Sequence, residues 1–122
     1  MDNIPWMEKL QVVLDPGKRQ GTAIVRLIGP LTLATQFHLE EALRQVAEFD
    51  TIIDVFDTPY IDSAGLGAIL AHWSHSQHQG RKFAMTGVSK RIQMLLELTR
   101  VNTVLPVFRT ADEAELMFSE QK

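Results

Sequence analysis

Between Leu39 and Phe118 the apolar residues of this chain alternate between two spacings, and no other feature constrains its fold as tightly. Leu39, Ala42, Leu43 and Val46 recur at the three-and-four spacing of a helix face, with Glu40, Glu41 and Arg44 on the other side. Residues 52–56 (Ile-Ile-Asp-Val-Phe) then read as a buried strand. A second helical stretch, from about Ser63 to Gln79, carries a stripe of Leu66, Ile69, Leu70, Trp73 and Gln77, and residues 82–86 form another inner strand. Ile92, Leu95, Leu96 and Thr99 mark a third helix, residues 105–108 a short strand, and Ala114, Met117 and Phe118 the inward side of a last helix. Ahead of these, residues 10–14 and 22–28 flank the turn signal Asp15-Pro16-Gly17 and predict a β-hairpin with a long, charged loop.

This order, ββ-α-β-α-β-α-β-α, requires crossover connections between strands. Such crossovers are right-handed, and they produce a largely parallel sheet with helices packed on it. The predicted fold is α/β: a single domain over residues 1–122 with a structured core at about residues 8–119. It has a mixed, mostly parallel sheet, an N-terminal hairpin and about four α-helices. Local signals agree. Thr32 or Thr35 is placed to cap the first helix, and Ser89 the third. Pro59 fixes its own φ and biases Thr58 to extended geometry, so the chain turns there. Gly80 and Gly87 mark a helix end and a turn, and Pro106 makes the last strand an edge strand. Thr110 to Glu113 has capping-box spacing.

Composition removes several functions. There is no cysteine, which excludes disulfides, thiolate chemistry and cysteine-ligated zinc. Twelve Lys and Arg face 15 Asp and Glu, for a net charge of −3 with no basic tract, a poor match to nucleic acid. Residues 1–6 lack the basic and apolar regions of a signal peptide, and no apolar run reaches the ~20 residues of a membrane span. The expected location is the cytoplasm. Trp73 sits at core spacing, and Trp6 is expected to cover the hairpin or a neighbouring subunit.

The segment Asp62-Ser63-Ala64-Gly65-Leu66-Gly67 follows the buried strand and opens a helix, so it lies at the carboxyl ends of the strands, where ligands and partners meet such folds. A helix N-terminus carries unpaired N–H groups and partial positive charge, so it tolerates an anion such as a phosphate on Ser63. Two glycines in one turn cost up to ~1 kcal/mol each in helix propensity. Two readings stand side by side. Asp62 or Ser63 is a plain N-cap and the glycines serve packing, or the segment is a contact point with Ser63 at its centre.

Two enzyme patterns fail on spacing. A serine-hydrolase elbow needs Gly two places before the serine, where this chain has Ile61. A dinucleotide fingerprint needs a third glycine where Leu70 stands. His72, His75 and His78 are spaced three apart without an interleaved acid, so they read as a solvated helix face and not a metal site. Asp54 and Asp57 read as turn and loop residues, and Lys90, Arg91 and Arg100 as a solvated face. No cofactor or metal is implied.

The block from Ile52 to Gly67 resembles the central block of the STAS domain family: a strand carrying Asp, a short loop, then Asp-Ser-x-Gly-Leu-Gly opening a helix. The element order along nearly the whole chain is similar, as is the closing segment Val107 to Ala114. The resemblance implies a stand-alone anti-sigma factor antagonist, a binding module and not an enzyme. In members of that kind, the serine after the Asp is phosphorylated by a partner anti-sigma factor that is also a serine kinase. A PP2C-type phosphatase reverses it, and only the unphosphorylated form binds the anti-sigma factor. By position, Ser63 is the implied acceptor. Thr32, Tyr60, Ile61, Asp62, Ser63, Ala64, Gly65, Leu66 and Gly67 are the implied contact residues. Thr32 stands where many relatives carry an acid, and Ala64 where Ser or Thr is common. The same resemblance admits a non-phosphorylated subunit of a stress-sensing scaffold or of a lipid-trafficking ABC transporter. A hydrolase built on Ser63 and a histidine is a third reading, against the spacings above.

Overall fold

The structure, a computed structural model, describes residues 9–120. The expectation for Trp6 and the outer ends of the single-domain reading lie outside the described residues. Strands β1 (Gln11–Pro16) and β2 (Thr22–Ile28) form the antiparallel hairpin. Helix α1 (Gln36–Gln45), strand β3 (Asp50–Asp57), helix α2 (Ser63–His78), strand β4 (Phe83–Thr86), helix α3 (Lys90–Leu98), strand β5 (Val107–Phe108) and helix α4 (Ala111–Glu120) follow. The five strands lie in sequence order, and every pair after the hairpin is parallel. β1 runs through the expected turn to Pro16, which an edge strand accommodates.

The two faces of the sheet are covered unequally. Val25, Leu27, Ile53, Val55 and Met85 point to the main core, which α1, α2 and α3 close with Leu39, Leu66, Ile69, Ile92 and Leu96. On the other face, Ile24, Ile52 and Ala84 meet Ala114 and Phe118 of α4, with Ala111 and Phe108 packed beside them. The half of that face nearer the strands' carboxyl ends therefore stays open, and Phe56, expected inside, is 78% exposed there. Asp54 lies within β3 and not in a turn, as does the terminal Asp57. Asp54 pairs with Arg26 of β2 at 3.0 Å, and Arg26 also reaches Asp15 of β1 at 3.0 Å.

The caps follow expectation in part. Ser89 Oγ accepts from the Ile92 N–H at 3.2 Å, and Thr110 Oγ1 from the Glu113 N–H at 3.2 Å. Gly80, at φ +69°, closes α2 as expected: its N–H donates to the Gln77 carbonyl, and the Arg81 N–H to that of Ser76. Neither threonine caps α1. Thr35 occupies the N-cap position, but its hydroxyl donates back to the Pro30 carbonyl at 2.9 Å, and Thr32 Oγ1 accepts from the Ala34 N–H. In α4, Met117 faces out, and Glu115 is buried in its place. The Glu115 carboxylate accepts from the N–H groups of Lys18 and Arg19 at 3.1 and 2.7 Å, which fastens the hairpin loop to the last helix. Among the described residues, no helix is long and apolar enough to cross a membrane.

Candidate partner-binding site at the start of helix α2

Helix α2 begins at Ser63 because Asp62 caps it. Asp62 has extended backbone, and its Oδ1 accepts from the Gly65 N–H at 2.8 Å. Its Oδ2 accepts from the Leu33 N–H at 3.0 Å. One carboxylate thus ties the loop after β2 to the first turn of α2. The backbone reinforces the join: the Leu31 N–H donates to the Tyr60 carbonyl at 3.2 Å, and the Asp62 N–H to the Leu31 carbonyl at 3.1 Å. With the cap supplied by Asp62, Ser63 has no capping task. It is the first helical residue, and it is exposed.

The two glycines differ. A Cβ on Gly65 would overlap the Leu31 carbonyl oxygen and crowd the Leu31 side chain, so this glycine serves close packing inside the molecule. A Cβ on Gly67 would meet nothing within 4 Å. Gly67 is exposed one turn on from Ser63 and on the same face, so its cost in helix propensity is not offset by packing within this chain.

Loop closure brings all nine expected contact residues into one region, but it presents them unequally. Ser63 and Gly67 are exposed, while Tyr60, Asp62 and Ala64 are half-buried. Thr32, Ile61, Gly65 and Leu66 are buried beneath them. Four exposed apolar side chains absent from the expected set lie on the elements beside the segment. Leu33 and Phe37, 71% and 55% exposed, stand on the α1 side. Met94 and Leu98 of α3, 60% and 76% exposed, line a cavity of about 220 Å³ with Tyr60 and Arg91. The Arg91 guanidinium lies over the Tyr60 ring at 5.2 Å, so it does more than solvate a helix face. A sequence signal for Phe37 exists: it is out of phase with the stripe Leu39, Ala42, Leu43 and Val46.

The three histidines do not share one solvated face, contrary to expectation. His75 and His78 are exposed, but His72 faces inward, with Nε2 2.7 Å from Thr51 Oγ1 and its ring edge-on to Phe83. Burial, helped by the neighbouring His75, lowers its pKa from 6.5 to about 4 and keeps it neutral. The inward stripe of α2 is rotated from the expected one. It runs through Gly65, Leu66, Ala68, Ile69 and Ser76, while Leu70 and Trp73 are half-buried and Gln77 is exposed. Among the described residues, no cluster of three or more His, Cys, Asp or Glu is arranged to hold a metal ion.

Comparison with known proteins agrees with this architecture. The family model for the STAS domain matches residues 14–114. A protein named anti-sigma F factor antagonist, from Paenibacillus polymyxa, is 25% identical over 93 residues, which is 73% of this chain and 80% of that protein. The crystal structure of an anti-sigma factor antagonist from Mycobacterium paratuberculosis superposes with a TM-score of 0.77 at 19% identity, covering 88% of this chain and 92% of that one. The anti-sigma factor antagonist SpoIIAA in its unphosphorylated form superposes with a TM-score of 0.75 at 14% identity, covering 92% and 99%. Its phosphorylated form, described as a Bacillus cell fate determinant, gives 0.67 at 12% identity, covering 88% and 99%. By the match of the family model over most of its length, and by the five-stranded fold that carries Asp62 and Ser63 at a strand-to-helix junction, this chain belongs to the STAS domain family.

Proposed function

We propose that the chain is an anti-sigma factor antagonist that binds a kinase-type anti-sigma factor through the surface around the start of α2, and that phosphorylation of Ser63 releases the partner. The observation that carries this reading is the separation of tasks at the motif. Asp62 and Gly65 hold the junction together, while Ser63 and Gly67 are exposed and have no part in packing. The similarity to anti-sigma factor antagonists, one of them known in both phosphorylated and unphosphorylated forms, supports the same role.

The chemistry suits a reversible switch. A phosphate on Ser63 adds roughly −1.5 to −2 charges at the positive end of α2, where the unpaired N–H groups accommodate it without unfolding the helix. In the free protein the group stays solvated. In a complex, the exposed apolar side chains Leu33, Met94 and Leu98 beside the segment offer a partner an apolar surface, and a phosphate brought into that contact is desolvated. The lost affinity is several kcal/mol, and each ~1.4 kcal/mol is tenfold in Kd. The domain supplies no catalysis. The kinase acts from the partner, and a PP2C-type phosphatase restores the binding form.

Incubation with ATP and the cognate kinase-type anti-sigma factor, followed by intact-mass measurement, tests the assignment. The expected result is a single added phosphate, mapped to Ser63 and absent from Ser63→Ala. Modification elsewhere, or none with any candidate kinase, contradicts it. In that case stable co-purification with transporter subunits would favour the non-phosphorylated subunit reading.

A further inference from the structure

A second site lies at the same end of the sheet, away from Ser63, and it rests on different observations. The chain leaves β4 for α3 on the main-core face and leaves β5 for α4 on the opposite face. Adjacent parallel strands whose connections part in this way open a crevice at their carboxyl ends, the usual ligand position in an open α/β sheet. Here the crevice is real. One cavity of about 400 Å³ is lined by Arg26, Asp54, Thr86 and Ala111, and a second of about 500 Å³ by Val88, Ser89 and Val107. The two share Phe56, Gly87 and Arg109.

The lining has a definite chemistry. Two helices start at the crevice, α3 after its cap Ser89 and α4 after Thr110. In α4 the Glu113 and Ala114 N–H groups are taken by Thr110, which leaves those of Ala111 and Asp112 without a helical partner. Arg109 stands between the two starts, and among the described residues its guanidinium is in no ion pair. The nearby acids are mostly engaged: Asp54 with Arg26, Asp112 with Lys18, and Glu113 with the Arg109 N–H. Asp57, on the rim, is exposed. At the floor, Thr86 is 1% exposed, and among the described residues its hydroxyl has no hydrogen-bond partner. A buried hydroxyl without a partner is a cost to the fold, so a ligand that bonds it recovers what the fold leaves unmet. Phe56, 78% exposed, adds a bare ring at the mouth.

We propose that this crevice binds a small organic oxyanion, a phosphate or carboxylate on an apolar body. The anionic head accepts from Arg109, the Ala111 N–H and the Thr86 hydroxyl, and the body lies against Phe56 and Val107. This assignment does not depend on Ser63.

Titration of the isotope-labelled full chain with phenyl phosphate, benzoate and inorganic phosphate, followed by amide chemical shifts, tests it. The expected result is saturable shifts at Thr86, Gly87, Arg109 and Ala111 with phenyl phosphate or benzoate, the stronger of the two identifying the headgroup. Inorganic phosphate, which has no apolar body, should bind the same amides roughly tenfold more weakly. Arg109→Ala should weaken phenyl phosphate binding at least about tenfold. Thr86→Val should weaken it too while raising the melting temperature, because it removes an unmet hydroxyl without changing shape. Ser63→Ala should leave the titration unchanged. Absence of saturable shifts up to about 10 mM of every probe, shifts spread equally over all helix starts, or binding indifferent to both Arg109→Ala and Thr86→Val would overturn the proposal.

Discussion

The two sides of helix α2 carry residues of the same types with opposite duties. Inward lie Gly65 against the Leu31 carbonyl and His72 against Thr51; outward, about two turns apart, lie Gly67, whose Cβ would meet nothing, and the exposed His75. A motif that reads as one unit in the sequence is therefore two devices. The inner one locks the loop after β2 to the helix start, and the outer one leaves a serine and a bare backbone open to a partner. The difference shows that glycine and histidine at these positions take their meaning from the face and not from the residue type.

Substitutions that exchange the two sides should separate them. The largest effect belongs to Gly65→Ala. The added methyl has backbone on its far side, which cannot move aside as a flexible side chain would, so unfolding by denaturant should show a loss of about 3 kcal/mol or more despite alanine's better helix propensity. A loss below about 1 kcal/mol would mean the loop and helix are not locked as described.

The histidines give the next effect. His72 has its pKa lowered to about 4 in the folded chain against an unfolded value near 6.5, so between these values the unfolded state binds more protons. The contribution of neutral His72 is present in full above about pH 6.5 and is lost as pH falls towards 4. Up to about 3 kcal/mol is involved, reduced by the partial exposure of the ring. Stability measured across this window should fall more steeply for the wild type than for His72→Gln, which cannot protonate there. Parallel curves for the two proteins would show that His72 is not held neutral by the fold. Gly67→Ala should have the smallest effect on the fold, a gain of up to about 1 kcal/mol in thermal melts, because nothing occupies the space its methyl enters. If it also weakens partner binding, the outer side is the contact surface.

Much of the frame was legible because local physics decides it. The alternation of spacings fixed the element order, and Asp62, Gly80, Ser89 and Thr110 act where their chemistry places them. The errors arise where tertiary packing overrides a local rule. Phe56 has the composition of a buried strand, but α4 is too short to cover the carboxyl half of its face. The spacing of the three histidines sets His72 opposite the expected stripe, yet its ring turns inward and Thr51 satisfies it. Glu115 and Met117 exchange expected places because the hairpin loop, distant in sequence, supplies N–H donors for a buried carboxylate. At the site, the sequence pointed to the segment but not to its partition into buried support and exposed contact. It also gave no sign that Leu33, through its N–H on Asp62, and Met94, beside Tyr60, come to the segment from other elements.

On the proposed function, Ser63 controls binding without supporting the fold. The most direct measurement is the affinity of Ser63→Asp for the kinase-type anti-sigma factor, taken with the melting temperature of the same protein. The expected result is at least about tenfold weaker binding than wild type, with stability unchanged within about 0.5 kcal/mol. Unchanged affinity, or a loss of affinity that only tracks a loss of stability, would contradict it.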